Sequence, residues 1–463
     1  MRKSLKRITA LALSACMVGA MAGCGNGDSG TTAAPKDNTT AAQEKTTVGG
    51  ETTAAETKGG DSEKQVTLRF SWWGGDSRHE ATLEAIKAYE KAHPNVKIEG
   101  EYQGYDGYYE KMITTLSSGT APDIMQFHRD WIADVQGAKH YLADMSKLPV
   151  DLTTLDQTVL SGSGTYNDEP VLYSCSIGGQ IMYVNKEFAD KHGLDLEKVY
   201  TWEEIMALGK EIHDANPDEY LMTADIDVLN RLIILEYLAQ MTGGSIVNED
   251  YSLNFTEEQM TAALQNIKDL YETGTMEPFG ESAVFVGQME QNTKWVNGQI
   301  GILLDITGAT AKYAASIEAE LDCMSIPVMK DAKSSGVDFS GNMGFVINDA
   351  SENKEEAAKF LDWMMNDEEA IKILKDCRGY PATSTAIDVM TKENLLNPVM
   401  KKATEIAGDN NPFSINAISG NTELETIRKD IIQEVIYGDS TPEEGAKEMV
   451  ESYTELLETL KNK

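Results

Sequence analysis

The amino-acid sequence predicts an α/β fold built on a parallel, doubly wound sheet, and three observations carry that reading. Val66–Trp72 alternates strictly between apolar and polar residues, the two-residue period of a half-buried strand. From there to Phe127 the segments switch in turn between helical and strand periodicity. Breakers stand between them, at His93-Pro94 and at Gly119-Thr-Ala-Pro122. His79–Ala92 sets Leu83, Ile86 and Tyr89 at helical spacing and stops before Pro94. Val96–Tyr102 reads as the second strand. Tyr109, Met112, Ile113 and Leu116 make one face of the next helix, and Asp123–Phe127 is a short apolar third strand. Further on, Thr201-Trp-Glu-Glu204 opens a helix with a capping box. Gly298–Asp305 and Gly344–Ile347 read as strands. Glu352–Met365, Asp367–Lys375 and the stretch after Glu423 read as helices.

Composition narrows the function. The chain has 463 residues with 40 Lys+Arg against 75 Asp+Glu, a formal charge of −35. Phosphate neutralisation needs clustered cations, so a nucleic-acid partner is excluded. Hydrophobic residues make up 41%, enough for a packed core and too many for general disorder. Five cysteines (Cys16, Cys24, Cys175, Cys323, Cys377) form no CxxC pair and predict neither a zinc site nor a disulfide scaffold.

The first 64 residues are not part of this fold. Met1–Arg7 is basic and Ile8–Ala22 apolar, the pattern of a secretory signal. Met21-Ala22-Gly23-Cys24 resembles a bacterial lipoprotein box, which implies removal of 1–23 and lipidation of Cys24. Residues 25–64 hold no aromatic and a single large aliphatic, Val48, so a flexible tether is expected. Forty coil residues reach roughly 35 Å.

Catalytic constellations are missing. The sequence has no GxSxG, HExxH, GxxxxGK[ST] or EF-hand loop, and its six histidines never lie three or four residues apart. With 75 acids, a chance carboxylate pair is weak evidence for glycoside hydrolysis. No enzyme, cofactor or metal is expected.

Ordered motifs then point to a family. Leu68-Arg-Phe-Ser-Trp-Trp-Gly74, Leu116-Ser-Ser-Gly-Thr-Ala-Pro-Asp-Ile124 and Tyr183-Val-Asn-Lys-Glu-Phe188 come first. Thr201-Trp-Glu-Glu204, Asn297-Gly-Gln-Ile-Gly301, Ser325-Ile-Pro327 and Ala357-Ala-Lys-Phe-Leu361 follow. Together they resemble the family 1 extracellular solute-binding proteins of ABC importers, the maltose-binding-protein-like group. Trp72-Trp-Gly-Gly-Asp-Ser-Arg-His79, Tyr102-Gln-Gly-Tyr-Asp-Gly107 and Pro122-Asp-Ile-Met-Gln126 resemble its oligogalacturonide (pectin-fragment) branch, although Phe127-His128-Arg129 departs from that branch's pattern.

The resemblance implies two lobes, each a doubly wound sheet flanked by helices. It puts 65–175 plus 325–378 in the N-terminal lobe and 176–324 plus 379–463 in the C-terminal one. Three hinge crossings would fall near Tyr173–Gly178, Cys323–Pro327 and Cys377–Pro381, bringing Cys175, Cys323 and Cys377 near one another, most simply as free thiols. It further implies a monomer on the extracytoplasmic face of the cell membrane, delivering an oligosaccharide to ABC permease subunits. The alternatives are a non-sugar solute or a surface glycoside hydrolase.

Ligands of open sheets sit beyond the carboxyl ends of strands. Trp72 and Trp73 end the first strand, and alternation sends one of them to the cleft. Phe127, Arg129, Asp130 and Trp131 follow the third strand and mix a stacking ring with planar polar groups, which suits a saccharide. Asp305 ends a strand where the family has a cleft-edge residue. Asn342, Arg378 and Tyr380 lie near the later crossings. Arg129 and Arg378 would be the two forks for a uronic carboxylate.

Overall fold

A computed structural model describes residues 65–462 except Asp106, Asn410 and Ala417. The signal segment, Cys24 and the tether expected over 25–64 lie outside the described residues. Two mixed sheets organise the chain. In the first, β1 (Val66–Trp73) runs parallel to β2 (Val96–Gln103) and to β3 (Ile124–His128). Helix α1 (Asp76–Ala92) connects β1 to β2, and α2 (Tyr108–Ser118) connects β2 to β3. This is the parallel arrangement that the sequence predicts. Two later strands then join antiparallel, β4 (Tyr173–Ser174) against β9 (Met343–Ile347), and β9 against β3.

Alternation along β1 divides the core. Leu68, Phe70 and Trp72 face one side with Phe345 and Phe360, while Trp73 joins Met125, Phe127 and Val346 on the other. Both faces of the sheet are covered, as strands flanked by parallel neighbours require.

The second sheet has the order β8-β5-β7-β6, from Leu321–Met324, Gln180–Asn185, Ile300–Ile306 and Tyr220–Thr223. Only β6 and β7 run parallel; β5 is antiparallel to both of its neighbours. Around it pack α3 (Trp202–Ala215), which carries the expected capping box at Thr201, and α4 (Leu235–Thr242). Helices α5 (Glu257–Glu272), α10 (Thr422–Tyr437) and α11 (Pro442–Lys461) complete that core. Each sheet therefore has its own hydrophobic core, and the two lobes belong to one compact unit.

The chain passes from the first sheet to the second between β4 and β5, and returns between β8 and β9. After α6 (Lys354–Asn366) and α7 (Glu368–Leu374), helix α8 (Ser384–Lys392) still packs on the first lobe. Thr383 Oγ1 donates to the Met365 carbonyl at 3.1 Å. Only α9 (Pro398–Asp409) rests on the second sheet. Residues 379–392 thus dock on the first lobe rather than the second, because the apolar side of α8 fits the helices before it. Among the described residues no helix is long and apolar enough to cross a membrane.

Gly344 shows how closely β9 is held. A Cβ there would sit 2.2 Å from the Tyr173 carbonyl oxygen of β4. Gly344→Ala is therefore expected to destabilise the protein by about 3 kcal/mol, at the upper end of overpacking costs, as read by urea unfolding.

Candidate functional site

The aromatic end of the first lobe grows out of β1 and β3. Trp72 is completely buried, donates from Nε1 to His79 Nδ1 at 3.1 Å and stacks on Tyr102 at 5.1 Å. It is a core residue. Trp73 is 6% exposed and packs on Tyr105, Tyr108 and Trp131. Neither indole is open to a ligand, because both faces of β1 are covered. Phe127, expected at the site, is likewise fully buried, edge-on to Trp131 at 5.6 Å. Trp131 is half-buried, and Tyr105, 54% exposed, lies nearly parallel to it at 6.1 Å. Tyr105 is the ring that reaches the cleft.

After β3 the chain makes a single 3₁₀ turn, Arg129–Trp131. This turn aims Arg129 across the cleft, where both terminal nitrogens bond the Asp338 carboxylate. Asp338 is fixed on the far side, in a stretch expected in the first lobe whose Ile326 and Val337 instead pack in the second lobe's core: its N–H donates to Gln180 Oε1 at 2.8 Å, and its Oδ1 accepts from Ile415 N at 3.1 Å. The two side chains are only 9% and 13% exposed. Burial opposes the charge on Arg129, but Asp338 and Asp130 outweigh it and raise the arginine's pKa.

Asp130 meets His128 Nδ1 at 3.2 Å and Arg129 Nε at 3.4 Å. Burial pushes its pKa up, yet the His128 hydrogen bond and the charges of His128, Arg129 and Arg231 hold it well below the usual carboxylate range. Asn342 sits beside the turn: its carbonyl accepts from Arg129 N at 3.0 Å and its side-chain oxygen from Ser340 Oγ at 3.1 Å.

On the second lobe Asp305, at the end of β7, accepts from the Tyr313 hydroxyl at 2.6 Å and lies 3.4 Å from Lys312 Nζ. Burial and this carboxylate together push the Tyr313 pKa up. The remaining two candidates belong elsewhere. Arg378 is 7% exposed and bonds Gln126 and Thr82 at 3.2 and 2.8 Å, with its guanidinium 5.2 Å from the Phe345 ring centre. It is a structural fork inside the first lobe, so it is not available to a ligand. Tyr380 is buried with Ile371, Met390 and Met400. The three body cysteines are free. Cys175 and Cys377 border one small void, whereas Cys323 lies in the second lobe's core with Tyr183.

Between the lobes lies a cavity of about 560 Å³. Tyr105 walls it from the first lobe; Asp225, Arg231, Asp305, Tyr313 and Lys429 wall it from the second. Asp225 follows β6 and caps the next turn, accepting from Val228 N and Gly287 N, and burial raises its pKa. Lys429 is held by Asp227 and Glu425 at 2.6 and 2.7 Å. Arg231 is exposed on a π-helical turn, Leu229–Ile234, and among the described residues it makes no hydrogen bond or ion pair. Such turns recur at functional sites because they re-aim side chains out of helical register. Tyr105, Asp225, Arg231, Tyr313 and Lys429 were not singled out from the sequence. For Tyr105 and Asp225 the signal existed, since each lies just past the carboxyl end of a strand. For Arg231 there was none.

Residues 75–371 match the family described as bacterial extracellular solute-binding protein, and the chain belongs to that family. It is 21% identical over 337 residues to the arabinooligosaccharide-binding protein of Halalkalibacterium halodurans, covering 69% of this chain and 72% of that protein. Among solved structures, a periplasmic solute-binding protein from Pectobacterium atrosepticum superposes with a TM-score of 0.78 at 23% identity, over 85% of this chain and 99% of that one. A periplasmic oligogalacturonide-binding protein from Yersinia enterocolitica, in complex with saturated digalacturonic acid, gives 0.75 at 24% identity, with the same coverage of 85% and 99%. At these identities the likeness establishes the two-lobed fold.

The depressed Asp130 pKa sets a pH dependence. A carboxylate held below its unfolded value stabilises the protein above that value, about 3.9, and the contribution is lost as pH falls through the folded pKa. The gap in melting temperature between wild type and Asp130→Asn is therefore expected to narrow between pH 5 and pH 2. Thermal melts across that range check it.

Proposed function

We propose that this chain is an extracytoplasmic receptor, lipid-anchored through Cys24, that takes an oligosaccharide between its lobes as a monomer and passes it to ABC permease subunits. The single observation that carries this reading is the interlobe cavity of about 560 Å³, which joins an exposed ring, Tyr105, to alternating carboxylates and cations. A sugar presents just such a surface: C–H faces for the ring, and hydroxyls that donate to Asp225 or Asp305 and accept from Arg231 or Lys429. The named activities of the relatives support the same ligand class. Among the described residues no group of three or more His, Cys, Asp or Glu is arranged to hold a metal ion. The proposal contains no catalytic step.

Calorimetric titration against arabino-oligosaccharides, oligogalacturonides and neutral galacto-oligosaccharides tests the reading, with a reducing-end assay run alongside. Saturable binding of at least one class without new reducing ends is the expected result; turnover would favour a hydrolase, and silence across the panel a non-sugar solute. Tyr105→Ala should weaken the bound class about tenfold, since the ring loses both burial and stacking, while leaving the melting temperature within about 2 °C.

A further inference from the structure

The most anomalous buried group in the described molecule is Glu236. It lies on α4, is 1% exposed, and neither carboxyl oxygen has a hydrogen-bond partner. It borders a void of about 30 Å³ that adjoins the main cavity, since Arg231 and Glu425 line both. That space holds roughly two water molecules. The walls come from both lobes: Arg129 and Asp130 on the first, and Asn230, Asp338 and Arg428 on the second.

The charged groups around it are already engaged. Asp338 is paired with Arg129, Asp130 with His128 and Arg129, and Glu425 with Lys429. Arg428, 2% exposed, gives its hydrogen bonds to Asn230, Ser419 and Tyr453. Only Arg231 is left, and it is exposed. The segment carrying Asp338 presses directly on Glu236, because Gly336 has a φ of +77° and a Cβ there would lie 2.4 Å from the Glu236 carbonyl oxygen. A negative charge on Glu236 would have no donor and would face Asp338.

We propose that lobe closure is proton-linked through Glu236: the closed protein keeps this carboxyl as the neutral acid, and loss of its proton drives the lobes apart. Parting the lobes removes the wall made by Arg129 and Asp130 and lets water reach the carboxylate. Burial first, and Asp338 second, raise the Glu236 pKa well above the usual value in the closed form. A carboxyl whose pKa rises on closure favours closure at low pH. Its contribution is complete below the open-state pKa, declines as pH rises and is spent at the closed-state pKa. With one proton involved, the ratio of open to closed molecules grows by up to about tenfold per pH unit in that window.

The test uses ligand-free protein, so it stands apart from the sugar assignment. Small-angle scattering of wild type, Glu236→Gln and His128→Gln is recorded at pH 5.5, 7.0 and 8.5. The wild-type radius of gyration should increase with pH, and His128→Gln should follow it. Glu236→Gln, isosteric with the neutral acid, should stay at the smaller value throughout. Should Glu236→Gln not fold, Glu236→Met serves, with the same expectation. A pH-invariant wild type, a glutamine variant that opens like wild type, or a response lost only in His128→Gln would each overturn the proposal.

Discussion

The Arg129–Asp338 ion pair is the contact on which the arrangement of the site depends. Each lobe has a core of its own and would remain folded whatever its angle to the other. The pair bridges the two lobes directly, from the turn after β3 to the segment that carries Asp338. Its partners are nearly dry, and both are positioned by backbone: Arg129 by a single 3₁₀ turn after β3, Asp338 by hydrogen bonds from its own N–H and to its carboxylate. Removing two charges from water is costly, and a buried pair repays that only when its remaining hydrogen bonds are satisfied. Here Asp130 and Ser414 complete the arginine's set. The pair is thus better understood as a register device for closure than as a source of global stability.

That constraint places the recognition surface at strand ends. Tyr105 follows β2, Asp225 follows β6 and Asp305 ends β7, so rigid sheets hold an exposed ring, a buried capping carboxylate and a half-exposed one around the same cavity. The chain crosses between the lobes three times, between β4 and β5, between β8 and β9 and between α8 and α9. In two-lobed binding proteins such crossings are where hinge closure around a ligand occurs.

The first lobe's strands and helices were legible because period-two and period-3.6 patterns there are clean and punctuated by Pro and Gly. Site residues were legible only in part. Alternation at Trp72-Trp73 told that the two indoles part company, but not that helices cover both sides of the sheet. Arg378 carries the chemistry of an anion fork, yet Gln126, Thr82 and the Phe345 ring, all distant in sequence, take it up. Arg231 was invisible because a π-helical turn breaks the periodicity by which a residue's side of a helix is inferred. Helix α8 was placed on the wrong lobe because its docking depends on tertiary fit to α6 and α7.

The claim that one ion pair joins the lobes is tested most directly by a double-mutant cycle, from the urea unfolding of wild type, Arg129→Gln, Asp338→Asn and the double variant. Each single change strands a nearly dry charge, and the second change relieves it, so a coupling of about 2 kcal/mol is predicted. Additive effects, to within about 0.5 kcal/mol, would mean that the two residues act independently and that closure is held elsewhere.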